Sequence, residues 1–115
     1  MKKIYFLKTC DTSMRILKSI NIEGFELQEI KSNPITVTQL EDMQKLSGRY
    51  EALFSRRAKK YKQMDLKNQA LSEEDYRQLI LDEYTFLKRP VIIINDKIFI
   101  GNSKKNVESL QEAIK

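Results

Sequence analysis

The strongest constraint on this chain is its opening block of twenty residues. Lys3-Ile4-Tyr5-Phe6-Leu7 is short, apolar and rich in β-formers, with no Gly or Pro inside it, and it predicts a buried strand. Met14-Arg15-Ile16-Leu17-Lys18-Ser19-Ile20 puts apolar residues at 14, 17 and 20, with 16 on the flank, which is helical spacing. Between them, Lys8-Thr9-Cys10-Asp11-Thr12-Ser13 carries the only cysteine. A helix N-terminus concentrates unpaired N–H groups and positive potential, and both favour a thiolate over a thiol. A strand–Cys–helix unit is therefore a place where sulfur can be made nucleophilic. Asp11 opposes this unless its carboxylate points away, and the bland alternative is a cysteine acting as a small inert hydrophobe.

The rest of the chain extends the unit into a fold. Asn21-Ile22-Glu23-Gly24 supplies a helix stop, with Gly24 suited to a left-handed cap. Phe25-Glu26-Leu27-Gln28-Glu29-Ile30 alternates like a strand with one wet face. Strand, helix, strand in this space is a βαβ unit with parallel strands and a right-handed crossover. Pro34 breaks the second strand. Thr36 and Gln39 make a capping box, followed by an apolar stripe at Val37, Leu40, Met43 and Leu46 that Gly48 ends. Tyr50, Leu53 and Phe54 suggest another short helical turn. Ser72 before Glu73, Glu74 and Asp75 predicts a further helix start, with Tyr76, Leu79, Ile80 and Tyr84 facing inward. Val91-Ile92-Ile93-Ile94 reads as a central strand, Asn95-Asp96 as a hairpin turn and Lys97-Ile98-Phe99-Ile100 as the returning strand. Gly101 closes the sheet, and Ser103 caps a last helix with Val107, Leu110 and Ile114 facing the core. The expected architecture is α/β: a four-stranded mixed sheet, β-α-β then β-β-α, with a helical insertion over about 35–86 in one domain spanning 1–115.

Composition then narrows the chemistry. With no His, an imidazole base, a His-dependent triad and a His–metal site are excluded. With one Cys, an internal disulfide and a structural zinc site are excluded too, so no metal is expected. Catalysis would have to use the lone thiol, the carboxylates or the cations. The net charge of +5 suits an anionic partner, although surplus Lys also serves solubility. Arg56-Arg57-Ala58-Lys59-Lys60-Tyr61-Lys62 is the most basic stretch, and with only Tyr61 as a stacking platform it reads as a solvated face before a nucleic-acid site. Met14, Met43 and Met64 are expected as core or gap-fillers. Nothing approaches a membrane span, and the opening apolar run is too short for a signal peptide, so the expected location is the cytoplasm.

Three groups of residues together resemble one family. They are Cys10-Asp11-Thr12-Ser13 near the start, Ser55-Arg56-Arg57 in the insertion, and Leu87-Lys88-Arg89-Pro90-Val91-Ile92-Ile93 before the hairpin. In that order, on a thioredoxin-like strand plan with a helical insertion, the chain resembles the ArsC family over essentially its whole length. That family includes glutaredoxin-coupled arsenate reductases, the Spx regulators and the small YffB-type proteins. The resemblance implies a thiol-dependent oxidoreductase with Cys10 as nucleophile. Arg89 would hold an oxyanion and stabilise the thiolate, and Pro90 matches a proline that is cis beside the cysteine in such folds. Arg57, with Arg56 open as its alternative, matches the insertion arginine. Thr12, Ser13 and Pro90 would border the anion and the thiol.

The same resemblance implies no bound cofactor, glutathione as co-substrate, and glutathione or glutaredoxin as the partner acting on a small oxyanion or a glutathione adduct. A monomer is expected. There are two departures. Ile100-Gly101-Asn102-Ser103 stands where the reductases carry a third arginine, and Ser13 replaces the second redox cysteine of many Spx proteins. An alternative implied role is therefore an Spx-like module that binds RNA polymerase without catalysis. Arg89 also has a physical case of its own. Placed beside the end of the first strand, a guanidinium stabilises a thiolate and grips an anion. Ser13 is expected to satisfy a backbone N–H in the first helical turn.

Overall fold

The opening strand is β1 (Lys2–Phe6), and the computed structural model, which describes residues 1–114, builds the sheet around it. β2 (Glu26–Glu29) pairs with β1 in parallel, with Ile4 opposite Leu27. β3 (Val91–Ile94) runs antiparallel to β1, with Tyr5 opposite Val91, and β4 (Lys97–Ile100) returns antiparallel to β3. The order is β2-β1-β3-β4, the mixed four-stranded sheet that the strand pattern predicts. α1 (Asp11–Lys18) crosses from β1 to β2, and α5 (Lys104–Ile114) follows β4. Their inward residues Ile16, Leu17 and Leu110 pack with Ile4 and Ile92 into one core, edged by Met14, Ile20, Val107 and Ile114. The Ser103 hydroxyl accepts from Asn106 N at 3.1 Å, the cap expected of it.

The chain forms two compact units. One holds the sheet, and comprises Met1–Pro34 and the chain from Arg89 onward; the other is Ile35–Lys88. The second unit has its own core around Phe54, whose ring stacks on Phe86 at 5.0 Å and meets Tyr76 at 4.9 Å. Its helices are α2 (Val37–Ser47), α3 (Lys59–Gln63) and α4 (Glu73–Asp82), joined by 3₁₀ turns. Thr36 and Gln39 form the predicted capping box, and Ser72 with Asp75 forms a second. Gly48 ends α2 with φ +93°, a left-handed conformation that costs a side-chain-bearing residue strain.

Four local expectations are refined or corrected. α1 starts at Asp11, ahead of the apolar spacing that begins at Met14, because the extended backbone of Cys10 makes it the N-cap and the short polar residues after it suit a first turn. The helix also ends at Lys18, so Gly24, with φ +84°, serves a turn before β2 instead of a helix cap. On β2 the wet and dry faces are reversed: Leu27 is 45 % exposed and Gln28 is 5 % exposed. β2 is an edge strand, which leaves Leu27 open to solvent, while the Gln28 amide donates to Asn33 O at 3.0 Å. Met64 is exposed instead of core-filling.

Candidate active site

Three connections converge at one end of the sheet. β1 ends there and leads through residues 7–10 into α1. The β1–β3 register, Tyr5 opposite Val91, sets Arg89 and Pro90 alongside the chain as it leaves β1. β4 ends at the same level, since Ile100 lies opposite Val91, and Gly101 N donates to Pro90 O at 2.8 Å. The Cys10 loop, the Arg89–Pro90 step and the entry to α5 are thus neighbours by backbone pairing. The Arg89–Pro90 peptide bond is cis, Pro90 is buried and Arg89 is half-buried.

Cys10 is the N-cap of α1 and is partly exposed. Its backbone N–H donates to Leu7 O and its carbonyl accepts from Met14 N, each at 3.0 Å, so loop and helix meet at this residue. The following amides belong to the first turn, whose N–H groups lack intrahelical acceptors and carry the positive end of the helix dipole. Thr12 and Ser13 sit in that turn. Ser13 corrects an expectation. Its hydroxyl is fully buried and has no hydrogen-bond partner among the described residues, so it caps no backbone N–H. Positions 13, 16 and 17 share the inward face of α1, which turns the hydroxyl away from the backbone donors it was expected to reach. An orphaned buried hydroxyl costs about 1–3 kcal/mol, and such groups call for a functional explanation.

Glu29 is the site residue that the sequence pattern did not reveal. One carboxylate oxygen accepts from Lys8 N at 2.9 Å; the other accepts from Lys31 N at 3.0 Å and from Ser32 N and Oγ at 2.8 Å each. The end of β2 is thereby tied to the loop that carries Cys10. The Lys8 amide, then the Ser32 amide, hold the Glu29 carboxyl well below the ordinary carboxylate range, at about 2. Glu29 with Ser32 three residues on is a legible local turn signal, whereas the Lys8 contact exists only in the folded sheet.

The two insertion arginines differ in the Ile35–Lys88 unit. Arg56 donates to Glu51 at 2.9 Å and to the Tyr76 hydroxyl at 3.1 Å, and lies over the Phe54 and Tyr76 rings. Its hydrogen bond to Glu51 lowers the carboxyl's pKa and raises that of the guanidinium. Arg57 is exposed; its backbone N–H donates to Ser55 Oγ at 3.3 Å, and its guanidinium makes no ion pair among the described residues. Lys59, Lys60 and Lys62 are exposed, the solvated face expected of the basic run. Among the described residues, no group of three or more acidic or cysteine side chains is set to hold a metal, and no helix is long and apolar enough to cross a membrane.

A parallel strand–helix–strand unit joined to a closing antiparallel hairpin and helix, with a cysteine capping the first helix beside a cis-proline, defines a thioredoxin-like α/β protein. The chain belongs to the ArsC family, whose model matches residues 5–110. It is 29% identical over 109 residues to the YfgD protein of Escherichia coli K12, covering 91% of this chain and 92% of that protein. It is 26% identical over 112 residues to an arsenate reductase of Neisseria meningitidis serogroup A, covering 94% and 96%. The solved structure of the YFFB protein superposes over 100% of both chains with a TM-score of 0.80 at 16% identity, a likeness of fold.

Proposed function

We propose that this protein is a thiol-dependent oxidoreductase of the arsenate-reductase type. Cys10, as thiolate, attacks a small oxyanion or an oxidised thiol adduct, and Arg89 stabilises the negative charge; a like role for Arg57 is what the family resemblance implies. The observation that carries the reading is Cys10 as N-cap of α1, at the sheet end it shares with Arg89 and Pro90. The Ser13 hydroxyl, buried without a partner in the same turn, is a donor in reserve for a thiolate or a bound anion. Of the two insertion arginines, Arg56 is engaged by Glu51 and Tyr76, which leaves Arg57 as the better match to the arginine the resemblance implies.

One cysteine also dictates how a cycle closes. A two-electron reduction consumes two thiols, which leave as one disulfide, and this chain supplies a single thiol. The resolving thiol comes from outside, and glutathione with glutaredoxin is the proposed source. No resident cofactor is required.

The test couples arsenate or a glutathione mixed disulfide to glutathione, glutaredoxin and NADPH-dependent glutathione reductase, and follows NADPH loss with the wild-type protein and Cys10→Ser. Turnover lost in Cys10→Ser supports the reading. Turnover absent with both substrates, together with an iodoacetamide alkylation profile for Cys10 that resembles a free thiol and is unmoved by Arg89→Ala, overturns it. One observation favours a second reading, an Spx-like module that binds RNA polymerase. The segment after β4 offers Asn102 and the capping Ser103 in place of a third arginine. Stable, Cys10-independent recovery of polymerase subunits with no turnover would establish that reading instead.

A further inference from the structure

We propose that the outer edge of β4 is a self-association surface, on which β4 of a second copy of this chain pairs antiparallel about a two-fold axis at Phe99. β2 and β4 are the two edges of the sheet. In an antiparallel pair, opposed residues alternate between those that exchange N–H···O bonds and those whose N–H and C=O point away from the partner strand. The two-residue turn at Asn95-Asp96 closes on Ile94 and Lys97, and Gly101 N donates to Pro90 O at 2.8 Å in the same register. Lys97, Phe99 and Gly101 therefore direct their backbone groups to β3, while Ile98 and Ile100 point theirs outward. Among the described residues, no hydrogen bond outside the β3 ladder reaches the backbone of Ile98 or Ile100. Natural sheet edges are blunted by charge, proline or a bulge. Ile98-Phe99-Ile100 carries none of these, and all three residues are partly exposed.

The two edges differ in what a second copy would meet. Antiparallel self-pairing of β2 along its length sets Glu26 against Glu29 of the other copy, and like charges directly opposite are destabilising. β4 pairs without that repulsion. With Phe99 on the axis, Ile98 lies opposite Ile100 of the second copy and exchanges both backbone bonds with it, and the axis repeats the exchange. The two Phe99 side chains meet across the axis, on the sheet face where Phe99 edges the α1–α5 core. The ends match as well. Asp96 and Lys104 make no ion pair among the described residues, and this register carries Asp96 opposite Asn102, two residues from Lys104 of the second copy. Lys97 comes opposite Gly101 of the second copy, whose N–H is bonded to Pro90, so pairing brings a cation to the sheet end that carries Cys10. Only one short strand per copy is engaged, less than a stable interface needs, so the expected dissociation constant is on the order of 0.1 to 1 mM and the monomer dominates in dilute solution.

Sedimentation equilibrium of the full chain over about 0.02 to 3 mM reads the association by mass action. The weight-average mass should climb towards twice that of the monomer, and exchange of the Ile98 and Ile100 amides should slow over the same range while that of the β2 amides stays constant. Ile98→Lys should weaken association by roughly tenfold or more. Adding Ile100→Glu to it should restore most of the affinity, since each new cation then faces a carboxylate of the second copy, and a folding defect would not be repaired that way. The wild-type exchange measurement needs no variant and decides the matter if Ile98→Lys fails to fold. A monomer mass at every concentration overturns the proposal, whether the two amides exchange freely, leaving the edge to a strand of another protein, or are protected within one copy. Association that leaves Ile98 and Ile100 unprotected, or that the second charge does not rescue, overturns it too.

Discussion

Replacing Glu29 by Gln separates its charge from its shape. The carboxylate accepts four hydrogen bonds, one from the Cys10 loop at Lys8 and three from Lys31 and Ser32. Glutamine keeps one acceptor oxygen, and its NH2 group cannot accept, so one side of the tie is lost and the remainder is no longer charge-assisted. The folded state holds the Glu29 carboxyl at about 2 against an ordinary 4.5. At 1.36 kcal/mol per pH unit, that displacement sets a ceiling of about 3.4 kcal/mol. The side chain is partly open to water, where screening reduces such terms, and the expected loss is about 1–2 kcal/mol. The sign follows from the direction of the shift. A depressed carboxyl stabilises the fold above pH 4.5, and that contribution disappears as pH falls towards 2.

Urea unfolding of both proteins at pH 7 and pH 2.5 measures the difference. The wild type should exceed Glu29→Gln by about 1–2 kcal/mol at pH 7, and the gap should narrow in acid as the wild-type carboxyl protonates. Amide exchange at Lys8, Lys31 and Ser32 should quicken in the variant at pH 7. A difference below about 0.5 kcal/mol at pH 7, or one that stays constant into acid, would refute the role given to the charge.

Three further perturbations address other parts of the molecule. Leu110→Ala opens the core shared by α1, α5 and the sheet and should cost about 2–5 kcal/mol, measured by denaturant midpoint. Gly48→Ala meets no atom within 4 Å but must hold φ +93°, so calorimetry should show a loss of about 1–2 kcal/mol from backbone strain alone. Arg56→Ala should lower the melting temperature by removing a tie between Glu51 and Tyr76, whereas Arg57→Ala should leave it unchanged and lower oxyanion turnover.

The elements were largely legible in the chain because their signals are local. Thr36 with Gln39, Ser72 with Asp75, the β-branched run 91–94 and the glycine ending α2 each lie within a few residues of the structure they specify. Cys10 at a strand–helix junction was legible for the same reason. What failed were inferences about surroundings. Leu27 obeys strand alternation but sits on an edge, and no local pattern says which strand will be outermost. A serine in a first helical turn suits a backbone N–H partner, but Ser13 is on the inward face of α1 and its hydroxyl has no partner among the described residues.

By itself the sequence determined a parallel strand–helix–strand start, a closing hairpin and helix, a helical insertion, and a chemistry confined to one thiol, the carboxylates and a surplus of cations. Those properties follow from periodicity, caps and composition, which act over a turn or a strand. Only the tertiary structure decided that Arg89–Pro90 and Gly101 border the Cys10 loop, and that Glu29 ties that loop to β2. The same is true of the commitment of Arg56 to Glu51 and Tyr76 while Arg57 makes no ion pair among the described residues. Each of these depends on strand register and helix packing between segments distant in the chain, and distance along the sequence carries no signal of which side chains those pairings will bring together.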